Sequence, residues 1–542
     1  MQLLRTQTAF LLLISLICFS CKQEAPDATE NHLGEIHFQP SGKDEAQPHF
    51  QRGLLLLHSF EYDDAKKAFL EAQAADPDMA MAFWGEAMTY NHPLWRRQKL
   101  EDGRAALQKL AETPEARQAK TGSELEADLM AAADILYGEG EKVVRDSAYA
   151  GRMEELHRKY PGNHEVAAFY ALSLLGAVPV GRDYEVYGQG AQIAKGILEE
   201  NPNHPGALHY MIHAYDDPEH AAMAIKAANS YSKVAPDAAH ALHMPSHIYV
   251  AMGMWDEVVS ANIASYGASV KRMERLGLDN DARSYHAFSW LMYGHLQKDQ
   301  LEAAGDILRK MVQYTEELPS VSARSYLISM KGNYLVESGD WKGAFKDIQV
   351  DVSDLSIVDQ GIQQVVEGMK AFRQQDKEKL EGLIRELEDK RQAASLQISD
   401  RGTPLCSAAP TGNYKANQLD IDQVRVMELQ LRSLYARLLE KPEMAEQLIA
   451  EAADLEATLD YSYGPPVIVM PSFELYGEWL LEQERPEEAI AQFDRSLDRG
   501  PRRVRALRGK LLAAKQLSDE KTVNEIKTIL EEITNGTDET YL

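Results

Sequence analysis

From about residue 46 onward, apolar residues recur at three- and four-residue spacing, and strand-like alternation is almost absent. That period lays an apolar stripe along one side of a helix, so the chain predicts helix after helix, each covering its stripe with a neighbour. The segment from Lys22 to Gln47 breaks the pattern. It is polar and carries Pro26, Gly34, Pro40 and Gly42. Such a composition buries too little apolar surface to order itself, which predicts a flexible tether over residues 22–45. Two other irregular places are Val178–Tyr184 and Gln397–Asn417, the latter with Gly402, Pro404, Pro410 and Gly412. The second separates helices over 46–396 from helices over 418–535. A Gly-Pro-Pro run, Gly464 to Pro466, interrupts the later set.

The helices carry a repeat. Counting from Ala46, a small residue stands at position 8 (Gly53), Ala at 20 (Ala65), an aromatic at 24 (Phe69), Ala at 27 (Ala72) and Pro at 32 (Pro77). Counting from Met470, the same positions hold Gly477, Ala489, Phe493, Ser496 and Pro501. Weaker units start at Pro205, with Ala224 and Pro236 in place, and at Ala239, with Tyr249 and an inter-helix Gly253. Further helix pairs are expected over Ser284–Glu317, Ser320–Val352 and Val424–Thr458. These residues resemble the 34-residue tetratricopeptide unit. Small residues let two antiparallel helices approach, the aromatic fills the gap to the next unit, and Pro ends the second helix. The resemblance implies an all-α solenoid, a right-handed superhelix of roughly ten to twelve helix pairs, with first helices lining a concave groove.

The N-terminus reads as a targeting signal. Arg5 supplies positive charge, Ala9 to Ile17 an apolar run too short to span a membrane, and Ser20 a small residue before Cys21. This resembles the lipobox of bacterial lipoproteins, with Cys18 where Leu is commoner. The resemblance implies signal residues 1–21, lipidation at Cys21, and a lipid-anchored protein of the bacterial cell envelope, in the outer membrane and facing the periplasm or the surface. At about 0.8 kcal/mol per buried CH₂, two or three acyl chains hold firmly. Cys406 is then the one remaining thiol, so no disulfide forms within the chain.

The 542 residues hold 84 acidic against 57 basic side chains, a formal charge of -27. No basic face is available to neutralise phosphates, which argues against a nucleic-acid partner. A repeat scaffold of this kind is expected to bind a protein or peptide and to meet the membrane through its anchor.

Candidate chemistry concentrates in one window. Seven of the sixteen histidines lie between His204 and His247. His209 with His213, and His243 with His247, are each spaced i, i+4, so each pair projects from one face of a helix. The second pair follows the first by one full repeat, at positions 5 and 9 of consecutive units, and His240 stands just before it. Four imidazoles on adjacent first helices predict a common centre. Metal binding, with zinc or copper suited to nitrogen ligands, is one reading. A groove that recognises a polar ligand is another, and duplication of one ancestral unit is a third. Pro245 falls between His243 and His247. Either it breaks a helix at the pair, or a helix starts there and His243 lies in a loop.

Asp217 and Pro218 are expected to cap and open the following helix, and Asp216 and His220 are candidate ligands of lower rank. Trp84, Tyr90, Asn91, His92 and Trp95 form an aromatic and amide cluster. Motifs for a zinc-protease helix, a phosphate-cradling loop and a serine elbow are lacking, so no catalytic residue is assigned. Two functions remain: an envelope scaffold holding a protein, peptide or small ligand in its groove, and a metal-binding or metal-dependent protein built on the four histidines.

Overall fold

The computed structural model describes residues 32–399, 402, 415–461 and 463–534. The signal segment with Cys21, tether residues 22–31, Cys406 and most of 397–417 lie outside the described residues. What is described is an α-solenoid of tetratricopeptide-type helix pairs. Its only strands there are Asn91–His92 and Arg97–Gln98, a two-residue antiparallel ladder. No described helix is long and apolar enough to cross a membrane.

The repeat residues do the packing expected of them. Helices Gln47–His58 and Tyr62–Ala75 form the first pair. A Cβ placed on Gly53 would come within 2.8 Å of the Phe69 ring, and one on Gly85, in the next unit, would collide with it outright. Phe69 thus fills a slot between two glycines on successive first helices. Phe493 does the same between Gly477 and Gly509. The turns between paired helices repeat a left-handed residue, Phe60 (φ 55°), Gly253 (φ 67°), Asp299 (φ 57°) and Glu484 (φ 56°) among them.

Three expectations are corrected. Residues 32–45 are no tether: Leu33 and Phe38 are buried, and Glu35 N–H donates to the Asn203 carbonyl at 2.9 Å. These two anchors, the half-buried Ile36 between them and that backbone pairing strap the segment across the start of helix Pro205–Ala214. The pair expected over Ser320–Val352 has one α-helix, Val321–Ser338. Gly339 ends it in a left-handed conformation (φ 65°), and only a short 3-10 turn, Ala344–Asp347, follows. Asp217 caps a turn instead of a helix start: its Oδ1 accepts from the N–H groups of Glu219 and His220, both at 3.0 Å, and the helix begins at Ala221.

The chain also returns on itself. Helices Val504–Gln516 and Glu520–Thr534 share one apolar core with Trp255, Val258 and Tyr293. Arg503, buried at this junction, pairs with Glu474 (2.6 Å) and Glu337 (2.7 Å) and donates to the Tyr293 hydroxyl. Trp255 Nε1 donates to the Arg502 carbonyl at 3.1 Å, and Val504 N–H to Gln297 Oε1 at 3.0 Å.

Candidate metal centre

Helix Pro205–Ala214 presents His209 and His213 on one face. The next first helix is broken into Ala239–His243 and Pro245–Ala251. Pro245 has no N–H to give, so Met244 N–H closes the first piece on His240 O (3.0 Å), and His247 N–H turns tightly onto Met244 O (3.2 Å). The Ser246 hydroxyl donates to the freed His243 carbonyl at 2.7 Å. Of the two readings of Pro245, the break inside a helix holds, and His243 is helical. The kink turns the pair toward each other: His243 Nε2 and His247 Nε2 are 3.1 Å apart.

All four expected histidines come together. Ring centroids are 4.8 Å apart for His209–His213, 5.5 Å for His213–His247 and 4.9 Å for His243–His247. His209 is fully buried, and His213, His243 and His247 are at most 7% exposed. They do not share one centre, however. Two triads form, each with ligand atoms within 4.8 Å of one another: His209, His213 and His240, and His243, His247 and His286. His240 and His286 are half-buried at the edge.

The outer ring nitrogens are fixed. His209 Nδ1–H donates to the His58 carbonyl (2.7 Å), leaving Nε2 bare and 3.2 Å from His240 Nε2. Asn262 gives its amide N–H to Val258 O (2.8 Å), so its oxygen accepts from His243 Nδ1–H at 2.6 Å. His247 Nδ1–H donates to Asp216 Oδ2 at 2.5 Å. Histidines that hold metals are oriented in this way, the second nitrogen given to a carbonyl or carboxylate. The buried Nε2 of His213 and Oδ1 of Asp216 have no hydrogen-bond partner among the described residues.

Burial holds His209 down at about 3 and His286 at about 3, and keeps His213, His240 and His243 well below the ordinary imidazole value; neighbouring rings push the same way. These five imidazoles are neutral at pH 7, the form that coordinates a metal.

A third cluster contrasts with these. His58 and His204 both bond Glu165, at 2.6 and 3.2 Å, while His58 Nδ1 meets the Tyr210 hydroxyl (2.8 Å) and His204 Nδ1 accepts from Ala207 N–H (3.2 Å). Every donor there is engaged inside the protein, which makes it a structural network.

The triads are roofed. Phe60 packs with its ring tilted at 4.2 Å from His209, and Trp95, 47% exposed, lies beyond it near His240. On the other side Trp290 packs at 4.8 Å from His243 and 4.5 Å from His247. Tyr463 stands 5.6 Å from His247, and Gly464 rests so closely on Trp290 that a Cβ would collide with it. Arg182 pins this roof: its N–H donates to Asp460 (2.9 Å), and its guanidinium caps the Ala214 carbonyl (3.0 Å) that ends the first histidine helix. The inner wall is therefore covered at the histidines. A polar cavity of about 340 Å³ opens beside them, lined by Phe60, Glu61, Tyr62, His92 and Arg272, with Glu61 accepting from His240 N–H at 2.9 Å.

His286 was not anticipated from sequence. Its signal is a third i, i+4 pair, His286 with Trp290, on helix Tyr285–Gln297. Asp216 orients His247; its direct ligation is left to its free oxygen. His220 is half-exposed and bonds Asp217 at 2.8 Å, away from both triads. In the aromatic cluster, Trp84 is core, edge-on to Phe169, and His92 stacks 3.9 Å from Tyr62.

Neither a protein-family model nor a curated protein matches the chain. Solved structures similar to it include yeast Tom70, at 12% identity over 91% of this chain and 92% of that one with a TM-score of 0.31. The Cut9 and Hcn1 hetero-tetramer of APC/C matches at 12% identity, 88% and 78% coverage, and a TM-score of 0.34. A human IFIT1 dimer matches at 12% identity, 93% and 92% coverage, and a TM-score of 0.32. At these values the likeness says nothing about ligand or partner.

Proposed function

We propose that this chain is a metal-holding helical scaffold, lipid-anchored at Cys21 to a membrane of the bacterial envelope, with transition-metal ions bound by its buried histidines. One observation carries the metal reading. His243 and His247 each give Nδ1–H to an acceptor, so two bare Nε2 lone pairs face each other across 3.1 Å in a buried site. Lone pairs held so close repel unless a cation or an added proton lies between them. A metal ion is a cation that fits between two such nitrogens, and burial disfavours a charged His243. The distance agrees: donors bound at 2.0–2.1 Å around a tetrahedral ion stand about 3.3 Å apart. Neutral nitrogen donors suit copper or zinc.

The test is elemental analysis of full-length protein purified in detergent without chelator. Stoichiometric copper or zinc, lost in His247→Ala, is the expected result; metal-free protein after growth in metal-replete medium sinks the reading. The anchor is tested separately, because Cys21→Ser should move the protein from the membrane to the soluble fraction. The groove reading, in which a protein, peptide or small ligand is held, has room in the polar cavity beside His240 rather than over the covered histidines.

A further inference from the structure

We infer that the two triads hold a pair of transition-metal ions close enough to interact, with a shared side open to a small bridging anion. The inference rests on the metal-holding reading and goes further, to the number of ions, their coupling and the chemistry of what they bind.

The nitrogens converge at two places. His209 and His240 approach at 3.2 Å, and His243 and His247 at 3.1 Å, so each close contact lies within its own triad. Each of these spacings fits an edge of the donor shell around one ion, which would be about 3.3 Å for bonds of 2.0–2.1 Å. Six imidazoles thus divide three and three.

The triads are nevertheless neighbours. His213 of the first and His247 of the second, with Asp216, also have ligand atoms within 4.8 Å of one another. Asp216 is fully buried, spends Oδ2 on His247 and keeps Oδ1 without a hydrogen-bond partner among the described residues. It stands where a carboxylate between two cations would stand.

Charge then dictates the ligand. Two divalent ions bound through imidazole nitrogens bring four positive charges, and the Asp216 carboxylate returns one negative charge. A buried excess of that size is costly unless an anion enters with the metals. Three protein donors per ion leave a coordination position free, as in sites that bind water or hydroxide. One hydroxide, azide or similar small anion bound to both ions satisfies both demands. Entry is available at the half-buried edge, where His240 bonds through its N–H to Glu61 of the polar cavity wall. All-nitrogen ligation favours copper over other divalent metals of the first row.

The experiment titrates metal-stripped full-length protein with Cu(II), following electron paramagnetic resonance and copper content. The expected result is two copper ions per chain, with a signal that rises over the first equivalent and falls over the second as the spins pair. Azide bound to both ions should then give the doubly loaded protein a charge-transfer absorption different from that of the singly loaded protein, at one azide per pair. His240→Ala and His286→Ala alter half-buried edge residues of different triads, and each should hold one copper with an undiminished signal. Saturation at one ion per chain overturns the pair while leaving the metal-holding reading in place, as do two ions giving twice the signal of one. No copper bound at all overturns both.

Discussion

Asp216 and His247 form a buried carboxylate–imidazole contact of 2.5 Å that crosses from the turn after one first helix to the kinked first helix of the next unit. It fixes which nitrogen of His247 carries the proton and so which one faces the site. Asp216→Asn keeps the shape and removes the charge. Partners of this kind are worth about 10–100-fold in metal affinity. The variant should show that loss in a competition titration against a chromophoric chelator, with an unchanged far-ultraviolet circular dichroism spectrum.

The metal-free protein should be acid-sensitive. Unfolded histidine binds a proton near its ordinary value of 6.5, whereas folded His209 resists until about 3. Between those limits the unfolded chain holds more protons, so stability is full above 6.5 and falls as pH drops toward 3. The slope is about 1.4 kcal/mol per pH unit for one such histidine, hence about 2 kcal/mol between pH 6.5 and 5 from His209 alone. His213, His240 and His243 act in the same direction. Urea denaturation at pH 7.5 and pH 5 measures the difference; equal midpoints would contradict it.

Phe60 holds a left-handed backbone (φ 55°) where other inter-helix turns use Gly253, Asp299 or Glu484, and its ring roofs His209 at 4.2 Å. Phe60→Gly relieves about 1–2 kcal/mol of backbone strain but removes a buried aromatic worth about 3–5 kcal/mol. A net loss of about 2 kcal/mol should appear in denaturant unfolding, and a chelator should strip bound metal several-fold faster. Unchanged stripping would show that Phe60 does not guard the site.

The two histidine pairs were legible because the repeat fixes register: a residue 34 positions later on the next first helix returns to the same wall. His286 escaped because it follows His247 by 39 residues, out of step with that period. Asp216 was seen as a candidate but not in its role, since it sits in an inter-helix turn whose path no periodicity sets. The same limit hid the strap. Leu33, Ile36 and Phe38 are too few apolar residues to stand out in a polar stretch, and only the core they pack against reveals them as anchors. Helix content itself was plain wherever apolar spacing persisted, and failed at 339–356, where Gly339 and Gly343 interrupt it.

Arg503 joins the returning end of the chain to its middle through Glu337 and Glu474. Arg503→Met takes the nearest cation from two buried carboxylates and leaves Glu474 only Arg505, at 3.5 Å, a change that typically costs about 3–5 kcal/mol. Thermal unfolding should show that loss. A shift below about 1 kcal/mol would mean water reaches the carboxylates once the arginine is gone.

Open arrays of stacked units can fray from either terminus, one unit at a time, because each touches only its neighbours. Here the last helices are clasped to Trp255 and Tyr293, so the final units cannot peel away without also uncovering the centre. Melting should accordingly follow a single sharp transition across His32–Thr534, and hydrogen exchange at the C-terminal helices should be as slow as at the helices they grip.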